Sequence, residues 1–208
     1  MGKLYNEVAG RDLTRLAALS DGIFAFAMTL LVLNLRVPDI AAIHSESDLL
    51  HALLRLAPHL LTCVMTFVTL GIFWVGQQTQ LSALRAADRD VSWIQIGFMF
   101  AVVLEPFSTA LLAEFITFRS AILIYWANIL FLGLMLFVSQ EHAYRSGLFK
   151  EHLAVGYRAL MRRIVSAQVL YAVAAGLCFV NTWLSIGLTF AIQLNYAFAP
   201  RIPWLYRL

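Results

Sequence analysis

The side chains most able to do chemistry in this sequence are a few polar groups set inside long apolar stretches. Ser20 and Asp21 lie within residues 15–35, RLAALSDGIFAFAMTLLVLNL, and Glu105 directly precedes Pro106 in a later apolar stretch. About twenty apolar residues at 1.5 Å per residue cover a hydrocarbon layer of ~30 Å, so residues 15–35 are long enough for a membrane-spanning helix. A carboxylate inside such a helix costs at least ~2.5 kcal/mol. Asp21 is therefore expected to face other protein groups or water rather than lipid.

A helix over residues 15–35 has two different sides, because each residue advances by about 100°. One stripe is mostly apolar with a single hydroxyl and consists of Arg15, Leu19, Gly22, Phe26, Thr29, Leu30 and Leu33. Asp21 points about 140° away from Phe26, and Ser20 about 120° in the other direction. The pattern predicts that Ser20 and Asp21 face neighbouring helices. On spacing alone, a helix–helix packing seam is the preferred interpretation of the apolar stripe.

Other polar residues give weaker signals. Glu105 is either a protonatable group on an ion or proton path or, more ordinarily, a hydrogen-bonded acid that stabilises the helix at Pro106. Cys63 and Cys178 lie in apolar stretches and are expected to be small apolar fillers rather than a disulfide. The histidines lack the spacing of metal ligands, and no phosphate loop, nucleophile elbow or catalytic carboxylate pair is present. We therefore expect no enzyme, no cofactor and no metal site.

The composition is that of an integral membrane protein. The 208 residues are 61% hydrophobic and 13% charged, whereas soluble domains are roughly 45–50% apolar and about 25% charged. We expect one all-α transmembrane domain over residues 1–208, without a cleavable signal peptide. The divide between the last two apolar segments is expected at Asn181-Thr182. Six transmembrane helices are predicted, at about 13–36, 53–80, 91–114, 119–141, 160–180 and 182–199.

The basic residues predict an orientation. Six spans place both termini and the loops at 81–90 and 142–159 on one side of the membrane. That side carries Lys3, Arg11, Arg15, Arg85, Arg89, Arg145, Lys150, Arg158, Arg162, Arg163, Arg201 and Arg207, and the other carries only Arg36, Arg55 and Arg119. Both termini are therefore expected to be cytoplasmic. The net charge of +3 then indicates contact with anionic lipid headgroups rather than nucleic-acid binding.

Three segments of the sequence, in order, resemble a known family. Arg15 is followed by Leu19-Ser20-Asp21, then Phe73-Trp74 by Gln77-Gln78, and Pro106-Phe107-Ser108-Thr109 by Leu111-Leu112 and Glu114-Phe115. The chain is thereby similar to the bacterial single-repeat relatives of the endolysosomal potassium channels, whose first helix carries an Arg-xxx-Phe-Ser-Asp signature. It departs from that pattern at three places. Leu19 replaces the signature Phe, Gln77-Gln78 stand where many relatives carry paired His, and Phe26 stands where a smaller aliphatic residue is usual.

The resemblance implies a function for the first helix. Members assemble as homotetramers, so four copies would surround a pore lined by Gly22, Phe26, Thr29, Leu30 and Leu33. A polar network of Arg15, Ser20, Asp21, Trp74, Gln77 and Gln78 would hold that helix in place. The expected protein is a potassium-preferring cation channel of the bacterial inner membrane, with a hydrophobic constriction at Phe26 and a hydroxyl layer at Thr29.

Two alternatives remain open from the residues. A secondary transporter or proton pathway could use Asp21 and Glu105, and a non-conducting membrane scaffold would use the apolar stripe only for packing. The sequence contains no Thr-Val-Gly-Tyr-Gly run of the kind that forms the carbonyl filter of ordinary potassium channels. Any selectivity would therefore need another chemistry.

Overall fold

The computed structural model describes residues 12–198, which form seven α-helices and several short 3₁₀ turns. We number the helices in chain order. They are α1 (Leu13–Leu30), α2 (Glu46–Arg55), α3 (Ala57–Ala83), α4 (Arg89–Glu114), α5 (Arg119–Arg145), α6 (Tyr157–Gly176) and α7 (Thr182–Phe198). Residues 12–198 contain no β-strand apart from one isolated bridge between Leu84 and Phe149. The predicted all-α class is confirmed.

Side-chain caps fix where several helices begin. Asp12 accepts hydrogen bonds from the amides of Thr14 and Arg15 at 2.9 and 3.2 Å and starts α1. Asn181 accepts from the first turn of α7, so the chain turns where the sequence predicts the fifth and sixth spans to divide. Each cap satisfies amides that the first turn of a helix leaves without a partner.

Asp88 caps α4 and also contacts α5. Its carboxylate accepts from the Val91 amide at 2.8 Å and lies 2.7 Å from Nε2 of His142. Partial burial opposes the charged form of Asp88, but the hydrogen bonds from Val91 and His142 outweigh it and leave its pKa below the ordinary value. This acid therefore joins the start of α4 to the end of α5.

Two bounds differ from the predicted segments. The first segment is α-helical only to Leu30 and continues as a tighter 3₁₀ turn over Leu31–Asn34. Residues 53–55, predicted to open the second span, belong instead to the short helix α2, which Ser45 caps by accepting from the Asp48 amide. Apolar periodicity does not separate an α-helical turn from a 3₁₀ turn, so the sequence could not show the first difference.

Within residues 12–198, five helical stretches are long and apolar enough to cross a membrane. They are Leu13–Asn34, Ala57–Ala83, Arg89–Glu114, Arg119–Arg145 and Glu151–Phe179. The last helix, α7, is 17 residues long in the described part of the chain, or about 25 Å. The predicted count of six spans therefore rests on α7.

Contacts between helix ends show which residues share one end of the bundle. Lys150 Nζ donates to the carbonyl of Ser82 at 2.8 Å, which joins the end of α3 to the chain after α5. At the other end, His59 of α3 lies 3.3 Å from Glu114 of α4. The former end carries Arg85, Arg89, Arg145, Lys150, Arg158, Arg162 and Arg163. Lys3, Arg11, Arg201 and Arg207, which also entered the charge count, lie outside the described residues.

The core forms where α1, α3, α4 and α5 pack together. The ring of Phe98 on α4 lies 5.9 Å from Phe24 of α1 and 6.4 Å from Phe73 of α3. Leu132 of α5 and Leu70 of α3 are fully buried in the same cluster. This packing fixes one face of α1 against its own subunit.

Candidate pore helix and its polar network

The first helix buries one face and exposes the other. Its buried residues are Leu16, Ser20, Phe24 and Ala27, followed by Leu31 in the 3₁₀ turn. The opposite side carries Gly22, Phe26, Thr29 and Leu33, all exposed, with Phe26 at 65% and Leu33 at 68%. Leu30 is half-buried, at the border between the two faces. A single subunit thus leaves a row of apolar side chains and one hydroxyl without a packing partner.

Thr29 is held in a defined orientation on that exposed face. Its hydroxyl donates to the carbonyl oxygen of Phe26 at 2.8 Å, one turn back along the helix. Because the hydroxyl proton is used in this bond, the lone pairs of the oxygen stay free to face outward. The arrangement suits an oxygen ligand for a cation.

Asp21 is bound by two donors from α3. The indole Nε1 of Trp74 and the amide Nε2 of Gln78 both donate to Oδ1 of Asp21, at 2.8 and 2.7 Å. Trp74 and Gln78 are four residues apart, so they lie on one face of α3. The structure therefore brings these three predicted residues together, and the carboxylate has the partners that its place in an apolar helix requires.

Ser20 begins a second and fully buried chain of polar groups. Its hydroxyl donates to Oε1 of Gln77, whose Nε2 donates to Oε1 of Gln95 at 2.8 Å. Nε2 of Gln95 donates in turn to Oγ of Ser139 at 2.9 Å. The chain passes through α1, α3, α4 and α5, and its members are at most 2% exposed. We call Ser20, Gln77, Gln95 and Ser139 the buried polar chain.

The sequence interpretation placed Gln77 and Gln78 together beside Asp21, but the structure separates them. Neighbouring helix residues point about 100° apart, so only Gln78 reaches Asp21. Arg15, also assigned to this network, is exposed, and its guanidinium makes no hydrogen bond or ion pair within residues 12–198. Gln95 and Ser139 were missed, and their only signal was an amide and a hydroxyl inside apolar segments.

Glu105 lies apart from the first helix. Its side chain is fully buried, and its carbonyl oxygen accepts from the hydroxyls of Ser108 and Thr109 at 3.0 and 2.7 Å. Oε2 of Glu105 is 3.4 Å from the Ser108 hydroxyl. These contacts surround the helix position next to Pro106, where the proline ring removes a backbone donor. The geometry fits the interpretation in which Glu105 supports the helix locally.

The possible metal ligands are scattered in the described part of the chain. Within residues 12–198, no three His, Cys, Asp or Glu side chains come together as a metal site requires. Cys63 and Cys178 are both free thiols.

Comparison with known proteins gives a consistent set of relatives. Residues 15–106 match the family model described as the endosomal/lysosomal potassium channel TMEM175. A potassium channel of Streptomyces collinus is 30% identical over 190 residues, covering 88% of this chain and 91% of that protein. A potassium channel of Chamaesiphon minutus is 29% identical over 188 residues, covering 88% and 92%.

A solved structure has the same fold. The crystal structure of a lysosomal potassium-selective channel TMEM175 homolog from Chamaesiphon minutus superposes with a TM-score of 0.80 at 28% identity. The match covers 90% of this chain and 97% of that one. The likeness therefore extends over the helices on both sides of the polar network.

Proposed function

Because the chain belongs to the TMEM175 family of potassium channels, we propose that it conducts potassium through a pore formed by the α1 helices of four subunits. The family is one of channels and not of enzymes. The chain is a membrane protein. Beyond this, we propose the position of the pore, the number of subunits and the preferred ion.

The exposed face of α1 carries this proposal. Phe26 and Leu33 are 65% and 68% exposed in a single subunit, although they lie in a long apolar helix whose other face is packed. Around a four-fold axis, Gly22, Phe26, Thr29, Leu30 and Leu33 would face one another. In a lone subunit this row would face lipid, and it is the membership in a family of potassium channels that favours a pore.

The chemistry of the row fits a gated cation path. Rings of Phe26, Leu30 and Leu33 offer no hydrogen bonds to water, and such a constriction closes by dewetting. Thr29 adds one layer of hydroxyl oxygens, whose lone pairs are free because their protons are bound to the Phe26 carbonyls. Potassium-over-sodium preference would then arise from partial dehydration at Phe26 and coordination at Thr29.

The polar contacts behind the pore helix have a structural role in this proposal. Trp74 and Gln78 hold Asp21, and Gln77 holds Ser20, so α1 is attached to α3 on the side away from the exposed row. Attachment at two adjacent positions fixes the rotation of α1 about its axis. That rotation decides which side chains would face the ion.

A transporter that uses Asp21 and Glu105 is less well supported. The two acids belong to separate clusters, with Asp21 bound to α3 and Glu105 enclosed within α4 near Pro106. The named relatives are potassium channels.

The experiment that tests conduction is a bilayer recording of the purified protein under a potassium gradient. A potassium-selective pore is expected to give a reversal potential approaching about 59 mV per tenfold gradient, with current that grows linearly and does not saturate. A turnover-limited flux coupled to a second ion would contradict the channel and indicate a transporter.

We further propose one domain of six spans, α1 and α3–α7, in the bacterial inner membrane with both termini cytoplasmic. The uneven distribution of Arg and Lys supports this orientation. A reporter fused after Leu208 is expected to be active only if it is of a kind that works in the cytoplasm. Activity only on the outer side would contradict the proposed topology of six spans with cytoplasmic termini.

A further inference from the structure

A cavity of about 490 Å³ lies on the far side of α3 from Ser20 and is bounded by α3, α5, α6 and the end of α7. Its walls are mainly apolar, and its volume is within the ~300–1,000 Å³ typical of ligand sites. Gly71 and Trp74 form part of the α3 wall, and Arg163 and Gln168 part of the α6 wall. The cavity is separate from the exposed row of α1.

One end of the cavity is cationic. Arg163 lies near the start of α6 with its guanidinium carbon 5.8 Å from the centre of the Tyr196 ring on α7. Within residues 12–198, the guanidinium has no carboxylate partner. Gln80, near the end of α3, lines the same part of the cavity. This end therefore lies on the basic side of the bundle, while Gly71 lies deeper.

Two glutamine side chains also line the cavity, Gln80 and Gln168. The side-chain oxygens of Gln80 and Gln168 are buried and have no hydrogen-bond partner among the described residues. Buried polar groups are normally paired, so these two oxygens are polar groups that the subunit leaves unsatisfied behind the cavity wall. A cation at the mouth, amides beside it and an apolar interior match an amphiphile with an anionic head.

We propose that this cavity binds an anionic glycerophospholipid, with one acyl chain in the apolar interior and the phosphate at Arg163. The bilayer supplies such a lipid at the correct depth, because Arg163 lies at the basic end of the helices, where anionic headgroups gather. The site does not depend on conduction through α1.

Two pairs of variants test the proposal. Arg163→Gln removes the cation, and Arg162→Gln is the control, because Arg162 is adjacent and exposed but does not line the cavity. Gly71→Leu places a side chain inside the cavity, since a Cβ there meets nothing within 4 Å. Gly187→Leu is its control, because that glycine is equally open but lies outside the cavity.

The measurement is the number of phosphatidylglycerol or phosphatidylcholine molecules retained per chain, counted by native mass spectrometry of protein purified in mild detergent. Wild type, Arg162→Gln and Gly187→Leu are expected to retain phosphatidylglycerol in preference to phosphatidylcholine. Arg163→Gln is expected to bind it about tenfold more weakly, as follows from losing one charge-assisted hydrogen bond. Gly71→Leu is expected to lose the retained lipid.

Three outcomes would overturn the proposal. Equal loss in Arg162→Gln and Arg163→Gln would mean a diffuse basic surface, and unchanged retention in Gly71→Leu would place the lipid elsewhere. If Gly71→Leu dissociates the oligomer and the wild type retains no lipid, the cavity is a contact between copies of the chain.

Discussion

Shortening Phe26 to alanine is expected to open the proposed pore while costing the subunit little stability, and the same change at Phe24 is expected to do the reverse. The two residues lie two positions apart on α1 and point to opposite faces. Phe26 is 65% exposed, whereas Phe24 is 2% exposed and packs 5.9 Å from the ring of Phe98. They form a matched pair with the same change in volume.

The magnitudes follow from burial. Removing a fully buried Phe side chain costs ~3–5 kcal/mol, which is the value expected for Phe24→Ala. Only about a third of the Phe26 side chain is covered within the subunit, so Phe26→Ala is expected to cost about 1–1.5 kcal/mol there. In the pore, four missing rings would admit water to the constriction and raise single-channel conductance, with weaker discrimination between potassium and sodium.

The assay is single-channel recording and thermal unfolding on the same preparations. Phe26→Asn is expected to raise conductance as well, because the amide adds polar contacts, and Thr29→Ala should weaken discrimination without a comparable gain in current. If Phe26→Ala unfolds as readily as Phe24→Ala and leaves conductance unchanged, the exposed row of α1 is a packing seam and the ion passes elsewhere.

Three further changes test the contacts behind α1 and the cap at the start of α4. Asp21→Ala is expected to reduce the yield of assembled oligomer in size-exclusion chromatography, and normal assembly with altered selectivity alone would contradict its structural role. Gln95→Leu leaves the Gln77 amide without its acceptor and is expected to lower stability by about 1–2 kcal/mol in thermal unfolding; an unchanged midpoint would mean that the buried polar chain adds no stability. Because the pKa of Asp88 is lower in the folded than in the unfolded protein, its ionised carboxylate stabilises the fold. This contribution is complete above the unfolded pKa of about 4, and it is lost as the pH falls through the folded value. Asp88→Asn keeps the capping oxygen, so it is expected to remove this part of the acid sensitivity below about pH 4 while α4 keeps its start; the same acid sensitivity in both proteins would contradict it.

Much of the fold could be predicted from the sequence because apolar length and basic asymmetry are strong signals. Five of the six predicted segments coincide with candidate spans, and the turn at Asn181 lies where the chain was expected to divide. The family resemblance read from Leu19-Ser20-Asp21 and Phe73-Trp74 is confirmed by the relatives. Helix α2 was missed because Ser45 and Asp48 give a capping signal too short to register beside long apolar segments.

The polar contacts were predictable only in part. Helical angles placed Ser20 and Asp21 off the apolar stripe, but they could not say which helix would approach each side chain. Gln77 bonds to Ser20 and Gln95 rather than Asp21, because adjacent positions on α3 face different neighbours. The partner of each side chain is set by tertiary packing, which sequence periodicity does not describe.

The buried polar chain also bears on how the protein is made. Ser20, Gln77, Gln95 and Ser139 belong to helices that leave the ribosome one after another, and each hydrogen bond needs a helix synthesised later than the donor's own. Until α5 is in the membrane, one member of the series therefore lacks its final acceptor. Insertion of α5 supplies the last acceptor, Ser139. The series of hydrogen bonds can therefore form in full before α6 and α7 are synthesised.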